Sequence, residues 1–396
     1  MQWLWQNTTQ VGFGVHAVKD HLNKFIEPKS KVLCTFGGGS IDKNGVRNDV
    51  NAALKELQCE VRWEGGIPPN PEYKRLMEIC QVIREFQPAI LLAVGGGSII
   101  DGTKFLCAAA KLPEDQDPWE TIMVKHEAPA GAYKLGVILT IPATGSEWNN
   151  GFVISRREKG LKMGNSLSCT YPLFSLIDPQ YTMTLPVRQL RNGVFDAFTH
   201  CVDQFLFPPV CSMFDNFWMS TMKELVEIGP NVIKQNSSLE LHERLCVACS
   251  FALNMIFTLE KPPQWEIHQI GHQLTAFYEI DHGSSLAMVM PHFLESQFEV
   301  RKELYAKAAE FVFDVRDGNV EQKGHAFIQH VREFIKQLGM AETVSKWEGV
   351  KINNGDIDKV THEVMVQSSG SEDKPFGLNG CVTKQLVHSI LEKVIV

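Results

Sequence analysis

The chain has 396 residues, 44% hydrophobic and 21% charged, the balance of a globular protein with core enough for two or three domains. Its 38 basic and 46 acidic residues give a net charge of −8 with no basic run, which argues against a nucleic-acid partner. No stretch of about eighteen apolar residues offers a membrane span, the first residues lack the order of a signal peptide, and ten scattered cysteines form no disulfide framework, so a reducing cytoplasm is the expected location.

The first half alternates short apolar runs with amphipathic helical patterns, the signature of βα units around a parallel sheet. Residues 31–36 read as a buried strand, followed by Gly37-Gly38-Gly39-Ser40 and a helix over 45–57. A second strand covers 60–63, and Pro68-Pro69-Asn70-Pro71 makes a rigid turn before a helix over 72–86. The third strand, 90–94, runs into Gly95-Gly96-Gly97-Ser98 and a helix over 99–111. A fourth, 135–140, is closed by Pro142-Ala143-Thr144-Gly145-Ser146, and strands over 152–156 and 174–177 flank a turn near Lys159-Gly160. After Leu185-Pro186 the pattern turns helical, with breaks near Pro208-Pro209, Pro230, Pro262-Pro263, Asp281, Asp317-Gly318 and Gly355, and a surface loop over 369–380. Cys246-x-x-Cys249 lies in one of these apolar helical runs and reads as packing. The expected architecture is an α/β domain with a parallel sheet over 1–184 and an almost wholly helical domain over 185–396.

Two copies of Gly-Gly-Gly-Ser-Ile, each directly after a strand, place backbone N–H groups and a helix N-terminus at the carboxyl ends of the sheet. Glycine admits an anion close to the backbone, and the helix dipole favours its charge. Neither copy matches the Gly-x-Gly-x-x-Gly or Walker patterns. At the end of the first strand, where an NAD-selective protein places an acidic residue for the ribose, Gly38, Gly39 and Ser40 leave room and donors for a 2′-phosphate, which favours NADP(H).

The stretch 265–282 carries three imidazoles. His268 and His272 are four apart and share one helical face. His282 follows His268 by fourteen positions, about 21 Å along an unbroken helix. A shared ion therefore requires the helix to end near Tyr278 and the chain to fold back. Upstream, Asp196-Ala-Phe-Thr-His200 supplies a carboxylate and an imidazole on one face. A His-x3-His pair alone is more often structural; with the Asp-x3-His pair and both glycine loops, it points to a four-ligand metal site of Asp196, His200, His268 and His282.

With Pro-Asn-Pro and Pro-Ala-Thr-Gly-Ser-Glu added to these motifs, nearly the whole sequence resembles the iron-containing (class III) alcohol dehydrogenases, most of all their NADPH-dependent butanol dehydrogenase or aldehyde reductase branch. The resemblance implies a dehydroquinate synthase-like architecture with a Rossmann-like α/β dinucleotide-binding domain over 1–184 and an all-α metal-binding domain over 185–396. It also implies NADP(H) as cofactor with NAD(H) possible, one Fe²⁺ or Zn²⁺ ion, a small alcohol or aldehyde such as butanol or butanal as substrate, and a homodimer. It puts the metal ligands on Asp196, His200, His268 and His282, and His272 beside the nicotinamide, where it could relay a proton. It puts the pyrophosphate on Gly95, Gly96, Gly97 and Ser98, with Asp101 just inside the next helix. Thr140, Thr144, Ser146, Asn149 and Lys162 match the cofactor-contacting loop and hairpin, while Asn70 and Gly37, Gly38, Gly39 and Ser40 match the adenosine end. The sequence departs from the family at Ile41-Asp42-Lys43, where this branch often carries lysines, at Gln269 and Gln273, and at Trp148, whose bulk narrows the site.

A competing reading is an NAD-using metal-dependent lyase or synthase of the dehydroquinate synthase type. It needs several basic residues around the metal, whereas the flanking Phe195, Phe198, Phe205, Trp265 and Phe277 are apolar and fit a medium-chain or aromatic aldehyde. No Gly-x-Ser-x-Gly suggests a protein nucleophile.

Overall fold

The computed structural model describes residues 5–207, 211–256 and 264–396. The start of the N-terminal segment and the expected breaks at Pro208-Pro209 and Pro262-Pro263 lie outside the described residues. Two compact units form, one of Gln6–Pro186 with Ser238–Asn254, the other of Val187–Ser237 with Met255–Val396.

In the first unit, strands β1 (Gln10–Phe13), β2 (Lys31–Thr35), β3 (Glu60–Glu64), β4 (Ile90–Gly96) and β5 (Lys134–Ile141) are followed by an antiparallel hairpin, β6 (Gly151–Arg156) and β7 (Leu161–Ser166), and by β8 (Phe174–Ile177). Six of them make one parallel sheet in the order β1-β8-β5-β4-β2-β3. Alternation along β4 sends Leu91 and Ala93 to one face and Ile90, Leu92 and Val94 to the other, and all are buried. Helices α1 (Ala17–His21) and α3 (Val46–Glu56) cover the second face, on either side of the short α2 (Ser40–Lys43) in sequence. Helices α4 (Tyr73–Phe86) and α5 (Gly97–Ala109) cover the first. Burial of each such Leu, Ile or Val contributes about 1.5–3 kcal/mol.

Two strands escape a reading by apolar pattern. β1 is a four-residue edge strand, Gln-Val-Gly-Phe, with largely exposed side chains, and β7 carries only alternate apolar residues. The helix Leu239–Ala252 also belongs to this unit, although it lies beyond the expected boundary at 184/185. Its Cys246 enters the sheet core, and the buried His242 ring meets the Thr182 hydroxyl at 2.7 Å.

The second unit is helical among its described residues: α6 (Val187–Phe205), α7 (Ser212–Val232), then, after the helix just described (α8), α9 (Glu266–Tyr278), α10 (His282–Ser296), α11 (Phe298–Val312), α12 (Val320–Gln337), α13 (Asp356–Ser369) and α14 (Lys384–Val394). Pro230 sits in the last turn of α7, which ends at Val232, close to the expected break. α9 and α10 approach closely because Gly271 lacks a side chain, and a Cβ there would lie 2.7 Å from Leu286. Phe195 and Phe198 of α6 pack on Phe334 of α12, with ring centroids 6.2 and 5.3 Å away.

Candidate functional site

α6 presents Asp196, His200 and Asp203 at spacings of four and three, one helical face, and all three are buried. α9 brings His268 to them, and the fold-back required by the sequence occurs: α9 ends at Tyr278 and α10 begins at His282. The turn is held to α6 by Asp281, whose carboxylate accepts from Arg188 Nη2 and from Asn192 Nδ2, each at 2.8 Å. Gly283 completes the approach, since a Cβ there would lie 2.4 Å from the Asn192 carbonyl oxygen.

The result is one carboxylate oxygen shared by three imidazoles. Asp196 Oδ1 lies 3.6 Å from His200 Nε2, 3.6 Å from His268 Nε2 and 3.5 Å from His282 Nε2. These separations exceed a hydrogen bond. They suit ligands around a common ion, because bonds of 2.0–2.2 Å in tetrahedral geometry set ligand atoms about 3.4 Å apart. Asp196, His268 and His282 also lie within 4.8 Å of one another as a group. His200 stands at its edge, its ring stacked on His268 at 4.7 Å. The buried His268 Nε2 has no hydrogen-bond partner among the described residues, which fits an atom aimed at an ion. The donor set of one carboxylate and imidazoles suits Fe²⁺ or Zn²⁺.

Asp203 accepts the Nδ1–H of His268 at 2.6 Å and the backbone N–H groups of Ile267 and His268 at 3.1 and 3.2 Å. The bond fixes which ring nitrogen faces Asp196 and orients the ring. Burial opposes charge on His268, but Asp196 and Asp203 outweigh it and push the imidazole up to about 9. Burial prevails at His200, which is held down at about 4 against the pull of Asp196. Asp203 did not emerge from the sequence, although its spacing from His200 places it on the same face.

His272 lies beside the group, its ring 5.0 Å from that of His282 and 6.1 Å from that of His268. Trp265 meets His268 and His200 edge-on, at 5.5 and 6.1 Å. Of the aromatics expected to line the site, Phe195 and Phe198 instead belong to the α6–α12 core, and Phe277 is exposed beside Tyr278. Phe195 neighbours Asp196 in sequence, but one helical step is about 100° of rotation and turns it away. Phe205 is buried as well.

In the sheet unit, β2 and β4 are adjacent and the order reverses around them, so both glycine loops leave neighbouring carboxyl ends at the position where open sheets take ligands. Gly95, Gly96 and Gly97 are tightly enclosed: a Cβ would lie 2.4 Å from Ile99, 2.7 Å from Ile141 and 2.5 Å from Thr144. No side chain caps the N-terminus of α5, so its first N–H groups suit an anion. Ser98 Oγ accepts the Asn70 N–H at 3.2 Å, with Asn70 at φ 55°. The first loop is open by contrast. Among the described residues, Gly38 has nothing within 4 Å of a Cβ position, and Gly39 has only Asp42 Oδ2, at 3.9 Å. Gly37 would meet the Ile67 carbonyl at 3.2 Å, and Ser40 starts α2.

Other expected cofactor residues are interior. Asp101 accepts from Ser146 Oγ at 2.6 Å and from Val153 N–H at 2.9 Å; Asn149 donates to the Gly145 and Leu253 carbonyls at 3.0 and 2.9 Å. Thr140 is buried in β5, and Lys162 is buried on β7 opposite Ser155. Trp148 packs edge-on against Phe251 at 4.9 Å. Sequence reading missed Lys104, a fully buried lysine in the same network.

Residues 8–179 match the family model described as iron-containing alcohol dehydrogenase, and 191–394 match that of the Fe-containing alcohol dehydrogenase C-terminal region. The NADPH-dependent aldehyde reductase YqhD of Escherichia coli is 38% identical over 86% of this chain and 87% of its own. The NADH-dependent butanol dehydrogenase A of Clostridium acetobutylicum is 30% identical over 92% of each. The crystal structure of E. coli YqhD superimposes with a TM-score of 0.91 at 35% identity, over 99% of this chain and 98% of that one. That of NADH-dependent butanol dehydrogenase A from Thermotoga maritima gives 0.89 at 27% identity, over 100% and 99%.

Proposed function

The chain belongs to the iron-containing alcohol dehydrogenase family, and from that premise we propose how its residues divide the work. It is an oxidoreductase, a metal-dependent alcohol dehydrogenase or aldehyde reductase that uses a nicotinamide nucleotide. The lyase or synthase alternative is not favoured.

Asp196, His200, His268 and His282 hold the divalent ion, and the observation that carries this is the single Asp196 oxygen 3.5–3.6 Å from three imidazole nitrogens. When bound, the ion supplies Lewis acidity to the alcohol or aldehyde oxygen and the nicotinamide supplies or accepts the hydride. Asp203 holds the His268 ring, Arg188 and Asn192 hold the turn that carries His282, and Trp265 walls the group from one side. His272, beside His282, can pass a proton to or from the alcohol oxygen.

The sheet unit, centred on the domain expected over 1–184, binds the nucleotide. Gly95, Gly96, Gly97 and Ser98 with the uncapped α5 take the pyrophosphate, and Gly37, Gly38, Gly39, Ser40 and Asn70 take the adenosine end. The open first loop supports NADP(H), the nucleotide that the aldehyde reductase YqhD is named for. A butanal-like aldehyde is the substrate class. Among the described residues no helix is long and apolar enough to cross a membrane. The family resemblance supports a homodimer, and the scattered cysteines support a reducing cytoplasm.

The test is a panel of neutral and anionic aldehydes with NADPH and NADH, on protein of measured metal content. A higher kcat/KM for an anionic substrate, or activity without metal, overturns this reading.

A further inference from the structure

We propose that Lys104 is a positioning residue for the nucleotide: its buried side chain fastens the 144–151 loop and the hairpin to the helix that carries the pyrophosphate glycines. The inference rests on the reading of Gly95, Gly96, Gly97 and Ser98 as the pyrophosphate seat.

Lys104 lies two turns inside α5 with 0% of its surface exposed. A lysine is rarely buried completely, because removing its charge from water costs several kcal/mol unless every donor is satisfied. Here Nζ donates to Ser146 Oγ at 2.7 Å, Asn149 Oδ1 at 3.0 Å and the Gly151 carbonyl at 2.8 Å, one acceptor for each N–H of an ammonium. All three acceptors lie in the loop and at the start of β6. The Ser146 hydroxyl passes the connection on by donating to Asp101 Oδ1, and Asp101 Oδ2 accepts the Val153 N–H of β6. One charged chain therefore joins α5, the loop and the hairpin that bears Lys162. Burial pushes Lys104 down to about 7, opposed by Asp101 and Glu147.

The loop has its own internal ties. Asn149 Oδ1 accepts the Gly151 N–H at 2.8 Å, and its Nδ2 donates to the Gly145 and Leu253 carbonyls. What Lys104 adds, together with Asp101 of the same helix, is attachment to α5, and it alone reaches Asn149 and the Gly151 carbonyl from there. That attachment matters because Thr144 is packed so closely on Gly97 that a Cβ would lie 2.5 Å from it. A loop that drifts on α5 therefore changes the wall of the anion seat directly.

The experiment compares wild type with Lys104→Met, which keeps the length of the side chain and removes its charge and donors. Nucleotide affinity is read by quenching of protein fluorescence with NADPH and NADH, alongside metal content and the KM for butanal. Lys104→Met should bind NADPH at least about tenfold more weakly. Metal should stay stoichiometric and the butanal KM within about twofold, a split that a general loss of structure does not produce. If Lys104→Met does not fold, Lys104→Gln decides, because it keeps a polar side chain in the buried site but removes the charge and the three-way attachment to Ser146, Asn149 and Gly151. Affinity at least about threefold weaker supports the proposal, and wild-type affinity overturns it. A wild type that binds neither nucleotide sinks the reading of the glycine loops and this inference with it. A wild type that binds, matched by folded Lys104→Met, sinks the inference alone.

Discussion

The Asp203 carboxylate takes the Nδ1–H of His268 at 2.6 Å, which leaves Nε2 of the same ring facing the Asp196 oxygen at 3.6 Å. One carboxylate thus sets the ring that the other meets. Asp203 also receives two backbone N–H groups from the first turn of α9, so it caps that helix through space and gains from its dipole. Asp203→Asn should keep the fold and lower metal affinity or turnover by about 10–100-fold, the usual loss when the partner of a ligating histidine is changed. Competition of each variant against a chelator, with kcat on reloaded protein, measures it. Unchanged metal affinity would contradict the positioning role.

Removing a ligand outright should be more severe. Asp196→Ala takes away the oxygen common to three imidazoles, and His268→Ala the ring that Asp203 fixes. Both should lose stoichiometric metal and at least about a thousandfold in kcat, several kcal/mol of transition-state stabilisation. Their circular dichroism should stay near wild type, because the aromatic core of α6 and α12 faces elsewhere. Stoichiometric metal with near-normal activity in either variant would remove these residues from the ligand set. For the wild type, chelation should abolish activity and one added equivalent of Fe²⁺ or Zn²⁺ should restore it.

The position of His282 depends on a glycine. A Cβ on residue 283 would lie 2.4 Å from the carbonyl oxygen and 2.9 Å from the Cα of Asn192, so α10 must move from α6 to admit it. Gly283→Ala should therefore destabilise by about 1–3 kcal/mol, as overpacking does, and weaken metal binding in the same variant. Thermal unfolding of the metal-free protein isolates the first effect, and metal titration reads the second. A variant with wild-type stability and metal affinity would show that the turn adapts.

The parts of this fold that were legible in sequence are those where a physical constraint repeats. Leu91 and Ala93 alternate with Ile90, Leu92 and Val94 because a parallel sheet is covered on both faces. The turn before His282 follows from arithmetic once the histidines share an ion, since an unbroken helix holds them too far apart. β1 left no such mark: at the sheet edge its four residues bury little, and its pairing with β8 is made by backbone groups. Asp203 and Lys104 were missed for a shared reason. Asp and Lys on helices are usually solvated, and only the tertiary fold shows that these two are enclosed with their partners. Phe195 shows the opposite case, since adjacency to Asp196 in sequence is not adjacency in space: one helical step turns it into the core with Phe334.

Asp42 is the residue of this sequence that argues against NADP(H). It departs from the basic residues of its branch, and an acidic group at the adenosine end would repel a 2′-phosphate. Its carboxylate instead meets Arg47 Nε at 2.8 Å, and the Arg47 guanidinium is held 4.4 Å from the Phe36 ring and 4.6 Å from the Trp63 ring. An arginine held in the corner of two aromatic rings stands as a counter-ion beside the half-exposed Asp42 and offsets part of its repulsion of a phosphate. Gly38 and Gly39 leave the space before it open. The wild type should therefore prefer NADPH by at least about tenfold in kcat/KM, or about 1.4 kcal/mol in transition-state terms. Gly39→Asp should invert that preference. Residue 39 sits at φ −77°, which any side chain tolerates, and the new carboxylate would accept from a 2′-hydroxyl and repel a phosphate. Arg47→Met, which frees Asp42, should shift the preference in the same direction by a smaller factor. The measurement is kcat/KM for both nucleotides in the three proteins. A wild type that prefers NADH would mean that Asp42 reads the ribose in spite of Arg47, and the assignment of the first loop would fall.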